Sequence, residues 1–159
     1  MPTKTLGIPD EYAIDPWGNR FVYAVTAKFT AVSGNADTRG LYVYPINSSA
    51  TDALTKITIN DETSSAITTK AILVILSHGP DGFGSYTRNG DRNAAYSANA
   101  NQQTNCHCDN SGPTLMTSTF VMRPEFSDGS TSDNNFDDKM RFYGRDSFPL
   151  PWELPTEKN

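Results

Sequence analysis

Residues 13–23 read AIDPWGNRFVY, which joins a sharply specified turn directly to a strand. In a type I turn, Asp at the first position bonds back to the backbone, Pro at the second has its φ already set, and Gly suits the fourth. Asp15, Pro16 and Gly18 stand in these positions. Between positions 21 and 29 the odd residues are apolar, which is the period of a half-buried strand. We therefore predict a fold built on a sheet.

The remainder of the chain consists of short β-prone segments separated by polar turns. The apolar run 71–76 predicts the most buried strand, covered on both faces. The segment 83–116 is rich in Asn, Ser and Gly and lacks periodicity, so we expect a loop-rich insertion with a possible hairpin turn at Asn89-Gly90. We predict one mainly β domain over 1–159, an antiparallel sheet with long loops and an extended tail at 149–159, with further strands at 41–44, 52–59, 67–77, 117–123 and 137–143.

Composition narrows the class of partner. The 159 residues carry a formal net charge of −5, and the cationic side chains are scattered, so we do not expect a nucleic-acid partner. A hydrophobic fraction of 36% predicts a modest core in a single domain. The longest apolar run is far too short to span a bilayer.

Three segments together resemble the pilin-like proteins, especially the pseudopilins of type II secretion systems. They are the DPWG turn with its aromatic strand at 15–23, the loop LSHGPDG at 76–82, and the strand FDDKMRF at 136–142. The resemblance implies a pilin-like α+β fold once a long N-terminal helix is included. It assigns Asp15, Pro16, Trp17 and Gly18 to the fold.

The family's long apolar N-terminal helix anchors each subunit in the inner membrane and packs in the filament core. Residues 1–4 read like an artificial start, and we interpret the chain as the head of a longer precursor, cut just before the sheet. The alternative is a naturally helix-free protein that shares only the turn chemistry. The resemblance implies a structural subunit of a type II secretion pseudopilus or a type IV pilus-like filament. Its location would be periplasmic or extracytoplasmic. Its partners would be other pilin-like subunits and the secretion machinery, and it would contact the membrane only through the absent helix.

Similarity to the major pseudopilins also implies a calcium site, formed by a Ser-x-Gly-x-Asp-Gly loop and a later acidic residue. Ser77, Gly79, Asp81 and Gly82 match the loop, and Asp137 with Asp138 could supply the acid. A long stretch of chain separates the two parts here, where the family has only a few residues. The alternative is that Asp81 stabilises a turn and the two later aspartates lie at a solvated strand edge. The metal ligands implied are Ser77, Asp81, Asp137 and Asp138.

The stretch Cys106-His107-Cys108 contains both cysteines and one of the two histidines. Zinc would need all of these residues together with His78, and the adjacent spacing suits it poorly. A Cys106–Cys108 disulfide would close a very small, strained ring, which an oxidising compartment would permit. We favour two reduced cysteines on a flexible loop.

We do not predict an enzyme. Ser77-His78-Gly79 lacks the Gly-x-Ser-x-Gly frame of a nucleophile elbow, and His78 is interpreted as a turn residue bonded to the backbone. The main alternative function is an extracellular carbohydrate-binding or adhesive β-domain, in which Trp152, Tyr86, Tyr96 and the long loop at 83–116 would form the recognition surface. A virion or phage surface protein is a further alternative.

Overall fold

A computed structural model describes residues 1–26, 57–93, 98–109, 111–115, 117–126 and 135–144. The predicted strand at 41–44, the tail at 149–159 with Trp152, and Tyr96 lie outside the described residues. The regular elements are helix α1 (Thr3–Leu6), a 3-10 turn (Asp10–Ala13), strands β1 (Val22–Val25), β2 (Ile57–Asn60) and β3 (Ala66–Ser77), helix α2 (Ala100–Cys106), and strands β4 (Cys108–Asp109), β5 (Gly112–Pro113), β6 (Thr119–Val121) and β7 (Lys139–Gly144).

Strand β3 is the centre of a five-stranded sheet. Its C-terminal half pairs antiparallel with both β1 and β7, and its N-terminal half pairs antiparallel with β2. Strand β6 adds to β2 in parallel, because the chain runs through β3 and α2 before it returns. The predicted mainly β fold is confirmed, but the sheet is mixed, which the predicted antiparallel arrangement did not include.

One face of the sheet forms the core, and we call it the inner face. Alternation along β3 directs Val74 and Leu76 into it, and both are fully buried. Residues paired with these two on the neighbouring strands lie on the same side, so Met140 and Phe142 of β7 face the core as well. The core consists of Ile57, Ile59, Ala71, Val74, Leu76 and Phe120, with Val22, Ala24, Met140 and Phe142 packed against it.

The opposite side of β3 is apolar too, and we call it the outer face. Leu73 pairs with Val25 on one neighbouring strand and with Tyr143 on the other, while Ile75 pairs with Tyr23 and Arg141. Leu73 and Ile75 are only half-buried, and Tyr143 is 39% exposed. The prediction that this strand is buried on both faces is therefore wrong for the outer face. The apolar residues of the outer face are Tyr23, Val25, Leu73, Ile75 and Tyr143.

The predicted turn at 15–18 is confirmed. The Gly18 N–H donates to the Asp15 carbonyl oxygen at 3.1 Å, and Asp15 Oδ1 accepts the N–H groups of Trp17 and Asn19 at 3.0 and 2.8 Å. Gly18 has a φ of 90°, which a residue without a Cβ adopts freely. This turn delivers the chain into β1 and leaves Asp15 buried at the edge of the sheet.

The segment 83–116 contains more regular structure than predicted. The Asn89-Gly90 turn is confirmed, since the Gly90 N–H donates to the Thr87 carbonyl oxygen at 3.0 Å. Helix α2 was not predicted, because its sequence ANQQTNC has no apolar stripe. Asn99 caps it by accepting the N–H groups of residues 101 and 102 at 2.9 and 3.3 Å. Across the described ranges, no helix is long and apolar enough to cross a membrane.

Candidate functional site: a buried polar cluster

Three hydrogen bonds connect the segments 15–18, 77–82 and 136–138 at one end of the sheet. Ser77 Oγ donates to Asp15 Oδ2 at 2.6 Å, and the Asp81 N–H donates to Asp137 Oδ2 at 2.9 Å. His78 Nδ1 lies 3.2 Å from Asp138 Oδ1. With two side chains from α2, they form what we call the polar cluster: Asp15, Ser77, His78, Asp81, Gln102, Asn105, Asp137 and Asp138.

The sheet register explains why these side chains meet. Ser77 ends β3 and pairs with Lys139, the first residue of β7, so the two aspartates before β7 lie beside the loop that follows β3. The chain then turns at Gly79, whose φ is 64°. A Cβ on this residue would lie 2.6 Å from the carboxylate carbon and the backbone oxygen of Asp137, so the loop and the strand are in close contact.

Helix α2 supplies the donors that the carboxylates need. Gln102 Nε2 donates to Asp81 Oδ2 at 3.0 Å and to Asp137 Oδ1 at 2.7 Å. One turn later, Asn105 Nδ2 donates to Asp138 Oδ2 at 2.8 Å. Residues three apart share a helix face, and both amides are essentially inaccessible to solvent. Sequence reasoning missed Gln102 and Asn105, and their only signal was this spacing after the capping Asn99.

Asn105 also holds α2 against the sheet. Its Oδ1 accepts the N–H of Val121 at 2.7 Å, and its Nδ2 donates to the Val121 carbonyl oxygen at 2.9 Å. The Asn105 side chain therefore pairs with the backbone of the last residue of β6 as a neighbouring strand would, and it also bonds to the carboxylate of Asp138. This contact connects the edge of the sheet to the polar cluster.

The structure brings together only two of the four implied metal ligands. Asp81 and Asp137 form one hydrogen-bonded pair, while the Ser77 hydroxyl donates to Asp15, and Asp138 lies between His78 and Asn105. Within the described residues, no three His, Cys, Asp or Glu side chains form a group that could hold a metal ion. The calcium site stays a prediction.

The donor set around Asp81 and Asp137 does not fit calcium in this arrangement. Calcium takes six to eight oxygen ligands at about 2.3–2.6 Å. Asp81 Oδ1 accepts the Phe83 N–H, and the other three carboxylate oxygens of the pair accept N–H groups from Gln102 or Asp81. Gln102 Oε1 is buried and has no hydrogen-bond partner among the described residues. Nitrogen donors therefore occupy the positions around the pair that a cation would need.

Burial, aided by the neighbouring carboxylates of Asp81 and Asp138, raises the pKa of Asp137 to about 7. The N–H bond from Asp81 acts in the opposite direction, but desolvation is the larger effect. Asp137 is only 5% exposed, so water contributes little to the stabilisation of its charged form. The carboxyl of Asp137 consequently takes up a proton as the pH falls through neutrality.

We expect Asp137 to make the native state less stable as the pH rises from about 4 to about 7. The native state holds this proton over that range while the unfolded state, with an ordinary pKa, has lost it. Asp137→Asn should remove this part of the pH dependence. The difference in unfolding midpoint between wild type and Asp137→Asn, measured across this range, reports the Asp137 carboxyl together with its interaction with the neighbouring carboxylates. An unchanged difference would contradict the raised pKa.

Cys106 and Cys108 form a disulfide, with Cα atoms 5.3 Å apart. The interpretation as two reduced cysteines is therefore wrong, and the bonded sulfurs also remove the thiolates that a zinc site would use. The ring closes where α2 ends, because His107 adopts a left-handed φ of 49°. Burial, followed by the charges of His78 and Arg92, lowers the pKa of His107.

His78 is not the backbone-bonded turn residue that we predicted. Only 2% of it is exposed, and its ring lies against Asp138, which the topology brings beside it. Its neighbour Ser77 donates to a different carboxylate, that of Asp15. A cavity of about 420 Å³ lies nearby, and the residues that line it include His78, Tyr86, His107 and Pro113.

No protein-family model, curated protein or solved structure matches this chain. The resemblance to pilin-like proteins therefore depends on the three segments and on what their arrangement supports. Of the three aromatic residues in the alternative recognition surface, Tyr86 alone belongs to the described residues. It is 46% exposed, and the Arg92 guanidinium lies 5.3 Å from its ring centroid.

Proposed function

We propose that this chain is the globular head of a pilin-like subunit, a structural component of a type II secretion pseudopilus or a type IV pilus-like filament. Its activity would be assembly through contacts with other subunits and with the secretion machinery. The location would be periplasmic or extracytoplasmic, with inner-membrane anchoring through a preceding helix. Calcium is not part of this proposal, because the donor set around Asp81 and Asp137 does not fit it.

The observation that carries the proposal is the outer face of the sheet. Five apolar residues from three adjacent strands lie in register there, and the two on the central strand are only half-buried. Burying a fully exposed aliphatic side chain of this size gains about 1.5–3 kcal/mol, and a half-buried one gains only the remaining part of it, so such a face still favours a packed partner. A helix laid on a sheet face is a standard two-layer arrangement. An apolar N-terminal helix packed on the outer face would bury these apolar side chains in this way.

The polar cluster gives a second line of support. The three segments on which the resemblance depends lie far apart in the sequence, yet Asp15, Ser77, Asp81 and Asp137 are joined by direct hydrogen bonds. A shared structural unit explains why these segments would occur together in one family. Turn chemistry alone gives no reason for the turn at 15–18 to contact the loop at 77–82.

The test uses the full reading frame, expressed with the secretion genes of its own source. An apolar segment of about 20 residues upstream of residue 1 is the first requirement. Leu73→Asp should then abolish recovery of the subunit in sheared surface filaments, because it places a charge under the helix. Ile67→Asp is the matched control, since Ile67 lies on the exposed end of the same strand and is already 49% exposed.

Circular dichroism of the isolated head must show that both variants fold, and immunoblotting of the filament fraction gives the result. Loss of Leu73→Asp from filaments, with Ile67→Asp retained, supports the proposal. Equal recovery of the two variants, or an upstream frame with no apolar segment, refutes it. The carbohydrate-binding alternative is supported by one exposed aromatic residue, Tyr86, which alone does not form a recognition surface.

A further inference from the structure

We infer that the side-chain amide of Gln102 takes the place, between Asp81 and Asp137, that a bound cation would otherwise fill. Helix α2 thus holds the loop that contains Asp81 against Asp137, and the domain folds without calcium. This inference does not depend on filament assembly, because metal response and assembly are measured separately.

The geometry around Gln102 is that of a bridging group. One nitrogen, Nε2, lies 3.0 Å from Asp81 Oδ2 and 2.7 Å from Asp137 Oδ1. A primary amide has two N–H groups, so each carboxylate receives its own donor. These distances are ordinary for N–H···O bonds and longer than calcium–oxygen distances. The amide nitrogen therefore joins the same two carboxylates that a cation would join.

The space around the pair is already filled. Gln102 is 1% exposed, and the loop approaches Asp137 so closely at Gly79 that even a Cβ would overlap it. The remaining oxygens of Asp81 and Asp137 accept backbone N–H groups, from Phe83 and Asp81 respectively. A cation could enter only by displacing the amide nitrogen.

Gln102 Oε1 has no hydrogen-bond partner in the described part of the chain, so the alternative to the observed state is one in which the amide is rotated and Oε1 takes the place of Nε2. With the amide turned over, Oε1 would face Asp81 Oδ2 and Asp137 Oδ1, and three acceptors would be left without a donor. At a pH where both carboxyls are ionised, such a trio is stable only with a cation at its centre. The amide orientation in the structure is the one that needs no metal, at the expense of a buried oxygen without a partner. The two states predict opposite responses to calcium.

The experiment compares thermal unfolding of the chain in a chelator with that in millimolar calcium. Wild type should unfold at the same temperature in both. Gln102→Glu replaces the donor by a third carboxylate, so in chelator its midpoint should fall by roughly 5–10 °C, and calcium should restore much of that loss by mass action. Gln103→Glu is the matched control, because it adds the same charge one position along α2. Its midpoint should not respond to calcium.

Two wild-type measurements keep the inference testable even where Gln102→Glu does not fold. A rise in the wild-type midpoint with calcium would overturn it, as would movement of the Gln102 side-chain amide resonances in NMR spectra on calcium addition. If Gln102→Glu is destabilised and calcium does not restore its midpoint, the inference that the amide occupies the position of a cation is also refuted. Equal behaviour of the two Glu variants would show that Gln102 does not bridge the pair. Unchanged amide resonances and midpoint, with selective rescue of Gln102→Glu, support the inference.

Discussion

Asn105→Ala should cost about 3 kcal/mol or more in the free energy of unfolding. The side chain is fully buried and serves three partners: the N–H and carbonyl of Val121 and the carboxylate of Asp138. Truncation leaves these three groups without their Asn105 hydrogen bonds in a buried environment, which is costly for polar groups. The expected result is a lower denaturant midpoint with an unchanged slope of the unfolding transition.

Thr104→Ala is the control for helix propensity in this experiment. Thr104 precedes Asn105 in α2, and its hydroxyl donates to the Ala100 carbonyl oxygen on the exposed side of the helix. Its replacement should change stability by less than about 0.5 kcal/mol. Similar losses in the two variants would show that α2 is held by something other than the Asn105 bonds.

Gly79→Ala should be strongly destabilising for two separable reasons. The backbone φ at Gly79 is 64°, and an L-residue pays about 1 kcal/mol to adopt it. The added Cβ would also lie 2.6 Å from both the side chain and the backbone of Asp137. The backbone cannot move aside without breaking the Asp81–Asp137 hydrogen bond. Together we expect a loss of roughly 3 kcal/mol or more.

Gly90→Ala separates the two causes. Gly90 also has a positive φ, of 90°, but no heavy atom lies within 4 Å of its would-be Cβ. This variant should show only the backbone cost of about 1 kcal/mol. The difference between the two variants, measured by denaturant unfolding, reports the close contact with Asp137. Equal losses would mean that the loop can retreat from β7 without penalty.

Local sequence determined the turns and the strands. The Asp15 carboxylate accepts the backbone N–H groups one and three residues past Pro16, and this chemistry needs no partner from elsewhere in the chain. The alternation in β7 likewise placed Met140 and Phe142 on one side, since period two is a property of the extended backbone. Both features were predictable because every interaction that defines them lies within a few residues.

Long-range packing determined α2 and the polar cluster. Helix α2 has seven residues, most of them Asn, Gln or Thr, and too little intrinsic stability to be predicted. It forms because Gln102 and Asn105 make hydrogen bonds to groups on distant segments. The same packing turned His78 from an expected turn residue into a buried partner of Asp138. Spacing along a chain does not report such contacts.

The sequence therefore specified which segments reverse and which extend, because these choices depend on φ, ψ and near neighbours. Only the tertiary fold could determine which acidic residues meet. Asp137 and Asp138 are adjacent in sequence but accept hydrogen bonds from different side chains of α2, Gln102 and Asn105, which lie one helical turn apart. Whether carboxylates share a cation, a proton or an amide depends on that geometry, and the donors here come from a helix that no local pattern revealed.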